Sequence, residues 1–138
     1  MIGIIDYNMG NLASVYNACK LIDADATIVK NPEDLKKFNR VILPGVGAYK
    51  DAMEHLIQTG MNEAVYEFAK TGKPMIGICL GMQLLFESSQ EFGHSDGLGL
   101  IDGHVIKFDK SKMHEDFKIP HMGWNTIKNK ENPLFEGL

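Results

Sequence analysis

Cys79 lies at the centre of the sequence Gly-Ile-Cys-Leu-Gly, residues 77–81, between an apolar run and an amphipathic stretch. This order predicts a strand, a sharp turn at the cysteine and a helix, an arrangement called a nucleophile elbow. Gly77 and Gly81 leave room for neighbouring backbone to pass close to the turn. The free N–H groups and the dipole of a helix N-terminus favour thiolate over thiol, so Cys79 is a candidate nucleophile for electrophilic carbon. The simpler alternative is a small buried cysteine that fills a strand end.

Apolar runs of strand length alternate with helical patterns through the first two thirds of the chain, as in parallel sheets with crossover helices. The predicted fold class is α/β, an open and mostly parallel sheet with helices on both faces. Glycines separate short apolar pieces beyond residue 91, so antiparallel edge strands are expected after residue 97. The predicted strands are residues 2–6, 26–29, 41–43 and 75–78, and the predicted helices are residues 12–22, residues 32–38 and two between 49 and 69.

Composition limits the class of protein. The chain has 138 residues, of which 44% are hydrophobic, which is the size of one domain over residues 1–138. The excess of 18 acidic over 14 basic residues gives a formal charge of −4, so no basic surface for nucleic acid is expected. No apolar run is long enough for a membrane span and no secretory signal pattern is present, so a cytoplasmic protein is expected. Cys19 and Cys79 form neither a disulfide framework nor a zinc spacing, and no metal or cofactor is predicted.

The loops after the first, third and fourth strands should converge, because ligands of open parallel sheets bind at the carboxyl ends of the strands. These loops are residues 7–11, 44–48 and 79–81. The glycine-rich middle loop could turn a backbone N–H toward the Cys79 thiol, and Leu80 could supply a second, which together would make an oxyanion hole. A phosphate loop is the alternative, but residues 45–50 lack the third glycine and the Gly-Lys-Ser/Thr of such loops.

Four sequence blocks, read together, resemble one known family. They are Ile-Ile-Asp-Tyr-Asn-Met-Gly-Asn-Leu at residues 4–12, Leu-Pro-Gly-Val-Gly-Ala at 43–48, the elbow and its sequel at 77–87, and Pro-His-Met-Gly-Trp-Asn at 120–125. They resemble the glutaminase subunit of imidazole glycerol phosphate synthase, a class I, triad-type glutamine amidotransferase of histidine biosynthesis. The blocks stand in family order and span nearly the whole chain.

The resemblance implies a reaction at Cys79. The thiolate would attack the side-chain carboxamide of glutamine, and the N–H groups of Val46 and Leu80 would hold the tetrahedral oxyanion. Ammonia would then leave, and water would hydrolyse the glutamyl thioester.

The resemblance also implies which residues bind the substrate glutamine. Gly45 and Gly47 match the loop beside the substrate, and Gln83 and Glu91 match positions that hold its amino-acid end. From the sequence alone, Gln83 is equally well a solvated helix position and Glu91 a surface glutamate.

A protein partner follows from the same resemblance. Asn11, His121, Met122 and Trp124 match the segments that face a (β/α)₈-barrel cyclase and the path that ammonia takes to it. The cyclase would combine ammonia with a ribotide to form imidazole glycerol phosphate and aminoimidazole carboxamide ribotide. Without the resemblance, Trp124 is a core aromatic residue. Relatives that donate ammonia to cyclase-like proteins in surface-sugar amidation are the alternative.

One part of the family pattern is missing from the chain. The family's catalytic histidine and glutamate, spaced His-x-Glu, follow the tryptophan motif, and no such pair occurs in residues 1–138. His114 comes nearest, but Asp116 stands two residues on and both precede the motif. We therefore expect a C-terminally truncated chain that is inactive alone. Two other hypotheses are a catalytically dead scaffold subunit and a cysteine protein of the redox or hydrolase kind.

Overall fold

The computed structural model describes residues 1–113, 119–120, 122–126 and 128. The chain divides into two compact units, Met1–Lys107 and Phe108–Leu138. The first unit contains both β-sheets and the α-helices, and the second contains a short 3₁₀ helix at Lys110–Lys112. The single domain predicted over residues 1–138 stays a prediction.

The main sheet has four parallel strands in the order β2-β1-β3-β4. β2 pairs with one side of β1 and β3 with the other, so the order of the strands reverses at β1. The loops that follow the adjacent parallel strands β1 and β3 therefore lie next to each other at the same edge of the sheet. Each strand begins and ends within one residue of its predicted bounds: β1 is Ile2–Ile5, β2 is Ala26–Val29, β3 is Arg40–Leu43 and β4 is Met75–Gly77.

Helices connect these strands. Asn11 caps the start of α1, and Gly60, whose φ is +71°, separates the end of α2 from the start of α3. The segment predicted as a short helix at residues 32–38 is a 3₁₀ helix. No helix in the described part of the chain is long and apolar enough to cross a membrane. The bounds are Leu12–Leu21 for α1, Pro32–Lys37 for the 3₁₀ helix, Tyr49–Thr59 for α2 and Met61–Lys70 for α3.

The two faces of the main sheet are covered unequally. On one face Ile5, Val41 and Leu43 are buried in the core that α2, α3 and the 3₁₀ helix complete. On the other face an isoleucine from each strand stands in one row, namely Ile28, Ile4, Ile42 and Ile76 in spatial order. Ile4 is fully buried, whereas Ile76 on the edge strand is 48% exposed. The core that positions the strand ends therefore lies on the α2 and α3 side.

A second sheet has the order β6-β5-β7, with β5 at Phe86–Ser89, β6 at Ser95–Asp96 and β7 at Ile101–Val105. β5 and β6 are antiparallel, but β5 and β7 are parallel. The α/β class is thus confirmed, while the expectation of antiparallel edge strands after residue 97 needs correction. After β6 the chain returns to the start of β5, where Leu98 N–H bonds the Leu84 carbonyl, so β7 runs in the same direction as β5.

The helix after Cys79 is shorter than the amphipathic pattern predicts. α4 spans only Leu80–Gln83, and the chain is a strand from Phe86. The carbonyl groups of Leu84 and Leu85 accept hydrogen bonds from residues 98, 100 and 101 instead of from a following helical turn. Both leucine side chains are buried in the core, so their apolar spacing reflects core packing rather than a helix face.

Candidate active site

Cys79 forms the predicted turn between β4 and α4, and its thiol is exposed. Its backbone has φ +54° and ψ −117°, and positive φ values are rare for residues other than glycine. Such conformations persist only where the surroundings hold them, and they cluster at functional sites.

The glycines of the elbow are required by space. A Cβ atom on Gly81 would overlap the carbonyl oxygen of Leu43, and one on Gly77 would lie 2.5 Å from the Cα of Met82. That Leu43 carbonyl also accepts a hydrogen bond of 3.0 Å from the N–H of Ile78. The backbone at the end of β3 therefore packs directly against the elbow, and this contact fixes the turn at Cys79.

The loop after β3, residues 44–48, meets the elbow as predicted. A Cβ on Gly45 would lie 2.6 Å from the backbone nitrogen of Gly81. Gly47 has a φ of +98°, which favours glycine. Among the described residues, the N–H groups of Val46 and Leu80 have no hydrogen-bond partner. Both are therefore available to an oxygen atom bound beside the thiol.

Tyr7, two residues after the end of β1, is hydrogen-bonded to the loop of residues 44–48. Its fully buried hydroxyl donates a hydrogen bond of 2.9 Å to the carbonyl of Pro44. Burial raises the pKa of Tyr7 to about 12. The sequence analysis did not single out this residue, although a tyrosine at the end of an apolar strand needs a partner for its hydroxyl when buried.

We expect Tyr7→Phe to change the alkaline stability of the protein. The pKa of Tyr7 is about 12 in the folded state and 10.0 for a free phenol. Between these pH values the unfolded state loses the proton and the folded state keeps it, so the free energy of unfolding falls as the pH rises. Phenylalanine removes this loss, which amounts to about 1.4 kcal/mol at pH 11. At pH 8 it destabilises by about 1 to 2 kcal/mol, because the buried Pro44 carbonyl loses its donor. Urea unfolding at pH 8, 10 and 11 measures both effects, and parallel profiles for the two proteins would contradict the assignment.

Glu91 is tied to the start of α2. Its Oε2 accepts a hydrogen bond of 3.0 Å from the backbone N–H of Tyr49, the first residue of that helix. Since α2 follows the loop of Gly45 and Gly47 directly, Glu91 lies beside that loop. Glu91 is exposed, as expected of a surface glutamate, but its carboxylate is bound to α2, and its role as a substrate contact stays a prediction.

Gln83 is the last residue of α4, one turn after the elbow, and is half-buried. Its side chain has no hydrogen-bond partner among the described residues. The elements thus place Gln83 on the same short helix that begins at Leu80, and its role as a substrate contact stays a prediction.

The residues predicted to face a partner are exposed where the structure describes them. Met122 and Trp124, both in the second unit, are 87% and 104% exposed, so the alternative of a core tryptophan is wrong. In the first unit, Asn11 caps α1 by accepting a hydrogen bond of 3.2 Å from the N–H of Ser14. His121 lies outside the described residues.

Two of the three described histidines have side-chain partners other than the candidate nucleophile, and the third, His55, lies in α2. His94 pairs with Asp96 at 2.9 Å, and the Nδ1 of His104 lies 2.9 Å from the hydroxyl of Ser88. Within the part of the chain that the structure describes, no histidine is hydrogen-bonded to Cys79, and no group of acidic, histidine and cysteine side chains could hold a metal ion. The site is therefore a thiol beside backbone donors.

Comparison with known proteins gives consistent results. A family model described as glutamine amidotransferase class-I matches residues 3–138. Imidazole glycerol phosphate synthase subunit HisH of Wolinella succinogenes is 60% identical over 139 residues, covering 100% of this chain and 68% of that protein. The subunit of the same name from Sulfurimonas denitrificans is 61% identical over 138 residues, covering 100% of this chain and 67% of that protein. The chain thus spans about two thirds of the length of these relatives.

A solved structure described as a glutamine amidotransferase shares the fold. It superposes with a TM-score of 0.65 at 21% identity, over 76% of this chain and 55% of the other. The fold and the family match together show that the chain belongs to the class-I glutamine amidotransferases. The resemblance predicted from four sequence blocks is confirmed. Within the class, the identities of 60% and 61% place the chain in the HisH family.

Proposed function

We propose that the protein is a glutaminase, which releases ammonia from glutamine through a thioester at Cys79. The observation that carries the proposal is the strained turn at Cys79, which is packed against the glycine-rich loop of residues 44–48. Among the described residues, the N–H groups of Val46 in this loop and of Leu80 after the turn have no hydrogen-bond partner. A strained elbow with an exposed thiol presents a nucleophile to substrate, and adjacent N–H donors stabilise the charge that develops on a carbonyl oxygen.

The reaction has two halves. The Cys79 thiolate forms a bond to the carboxamide carbon of glutamine, and the N–H groups of Val46 and Leu80 receive the oxyanion. When the tetrahedral intermediate collapses, the carbon–nitrogen bond breaks and ammonia leaves with the proton that it needs. Water then adds to the thioester and releases glutamate and the thiolate. We assign the proton transfers to a histidine oriented by a glutamate, which the family resemblance places after the tryptophan motif.

Glutamine is held beside the elbow. Gly45 lets the loop backbone pack against the elbow, since a Cβ there would lie 2.6 Å from the nitrogen of Gly81, and Gly47 has a positive φ. We assign both glycines to the part of the loop that lies beside the side chain of the substrate. Gln83 and Glu91 bind its amino-acid end, and the Glu91 carboxylate takes the α-ammonium. The Glu91 carboxylate contacts the first residue of α2, which follows this loop, and this position supports its assignment as a substrate contact.

The ammonia is delivered to a (β/α)₈-barrel cyclase, and the pair makes imidazole glycerol phosphate in histidine biosynthesis. The relatives of the chain are each named as a subunit of imidazole glycerol phosphate synthase, which supports this acceptor over the surface-sugar alternative. Exposed Met122 and Trp124 in the second unit support a partner surface. We assign Asn11 and His121 to contacts with the partner on the family resemblance. Transfer inside a complex keeps ammonia from protonation in water. A reducing cytoplasm suits the free thiols of Cys19 and Cys79.

The test is steady-state ammonia release from glutamine by the protein of the longest reading frame that contains this chain. We expect release that rises by about 10-fold or more when a barrel cyclase is added, which requires about 1.4 kcal/mol of additional transition-state stabilisation. Absence of release in both states would contradict the proposal.

A matched pair of variants tests the partner surface. We expect Trp124→Ala to weaken the stimulation by the cyclase, because it removes a large exposed aromatic group of the kind that anchors interfaces. Ile106→Ala, which removes another exposed apolar side chain, should keep the stimulation. Equal stimulation of both variants would remove Trp124 from the interface.

A further inference from the structure

Helix α2 lacks a cap of its own. The residue before it is Ala48, whose extended backbone has the usual N-cap conformation but whose side chain has no acceptor. The first turn of a helix leaves N–H groups without partners in the helix. Here the N–H of Tyr49 donates to Glu91 Oε2, a residue 42 positions further along the chain. Glu91 therefore caps the first turn of α2 through the first helical N–H, whereas a serine or aspartate at position 48 would cap it through the second or third.

Glu91 is itself held in place. Its backbone N–H donates a hydrogen bond of 3.2 Å to the hydroxyl of Ser89, which is buried at the end of β5. On the other side of the contact, the Tyr49 side chain is buried, and its hydroxyl leaves no room for a Cβ on Gly97. The segment that carries Glu91 is thus fixed against the first turn of α2 at two places.

A carboxylate is a suitable acceptor at this position. A negative charge at a helix N-terminus interacts favourably with the macrodipole, and a charged acceptor strengthens the hydrogen bond. Only Oε2 of the carboxylate is used, and Oε1 has no hydrogen-bond partner among the described residues. One carboxylate oxygen thus fixes the helix start, and the other is available to a ligand.

We propose that Glu91 is a positioning residue for the oxyanion loop, residues 44–48, in addition to its contact with the substrate. This inference rests on the proposed glutaminase function. The oxyanion loop ends where α2 begins, so the contact that fixes the first residue of α2 also fixes the direction in which the loop N–H groups point. Binding of the α-ammonium and placement of the oxyanion donors are therefore coupled through one carboxylate.

Two substitutions of Glu91 separate its roles in the longest reading-frame protein. Glu91→Gln keeps an oxygen that accepts from Tyr49 N–H but removes the charge that an ammonium needs, so KM rises about 10-fold or more while kcat changes little. Glu91→Ala removes both, so KM rises similarly and kcat falls by a further factor of about 10. Glu63→Ala, which removes an exposed carboxylate from the first turn of α3, is the control for a simple loss of charge.

A local cap should rescue one role and not the other. Ala48→Ser in the Glu91→Ala background supplies a hydroxyl acceptor to the first turn of α2, and we expect it to restore kcat but not KM. Ala48→Ser alone shows what the new hydroxyl does in the presence of Glu91. Equal kcat for Glu91→Ala and Glu91→Gln, or rescue of KM together with kcat, would overturn the proposal.

Amide hydrogen exchange tests the cap without reference to activity. Exchange in the first turn of α2 should be faster by about 10-fold in Glu91→Ala, close to that of the unchanged protein in Glu91→Gln, and slowed again by Ala48→Ser. If these exchange rates follow the expectation while Cys79→Ala keeps glutaminase activity, the proposed function fails and the cap stands. If the exchange rates are alike in all variants, the positioning role fails on its own.

Discussion

Cys79→Ala is expected to reduce steady-state ammonia release from glutamine by about 10⁴-fold or more, because removal of a catalytic nucleophile abolishes the covalent route and the remaining residues cannot act without it. The exposed thiol is the one group of the elbow that can form a bond to the carboxamide carbon. Substrate binding should be little changed, since the proposed contacts of glutamine are made by other residues. The measurement is kcat for ammonia release in the presence of the cyclase, together with the KM for glutamine.

Cys19→Ala is the matched control. Cys19 is the other free cysteine of the chain, but it is buried, with 6% of its surface exposed. Its loss should lower stability slightly by a small cavity and leave kcat unchanged. The nucleophile assignment is wrong if ammonia release survives in Cys79→Ala, or if Cys19→Ala loses it to the same degree.

The main sheet was predictable because its strands are buried on both faces over part of their length and therefore appear as apolar runs. The second sheet was not, because Leu84, Leu85 and Phe86 have an apolar spacing that fits a helix as well as it fits a core. Hydrogen bonds from residues 98 to 101 decide between the two, and these cross a dozen residues or more. The apolar spacing within a short stretch of sequence does not predict hydrogen bonds to residues so far along the chain.

The candidate site divides in the same way. Glycines spaced around Cys79 predicted the elbow, because close approach of backbone has a local signature in the sequence. The contact of Tyr7 with Pro44 joins residues 37 positions apart, and that of Glu91 with Tyr49 joins residues 42 positions apart. The type of side chain does not predict which distant residue it will contact. The turn at Cys79 was therefore predictable from the sequence, while the side-chain contacts that hold the site together required the fold.

Gly81→Ala is expected to destabilise the protein by about 3 kcal/mol or more, a larger effect than overpacking usually has, because the clash is with backbone rather than with a movable side chain. The added Cβ would overlap the carbonyl oxygen of Leu43, and its other near neighbours are the carbonyl carbons of Leu43 and Pro44. Relief requires β3 to move away from the elbow, and this movement also displaces the oxyanion loop. Glutaminase activity should therefore fall in whatever fraction of the protein still folds.

Gly72→Ala separates this effect from the general cost of removing a glycine. Gly72 has a φ of +69° and no atom within 4 Å of an added Cβ, so the substitution strains the backbone and meets no obstacle. It should destabilise by about 1 to 2 kcal/mol and leave kcat unchanged. At Gly81 the backbone lies in a helix and space alone forbids the side chain. Urea unfolding of the two variants tests the distinction, because a Gly81→Ala protein no less stable than Gly72→Ala would mean that β3 does not press on the elbow.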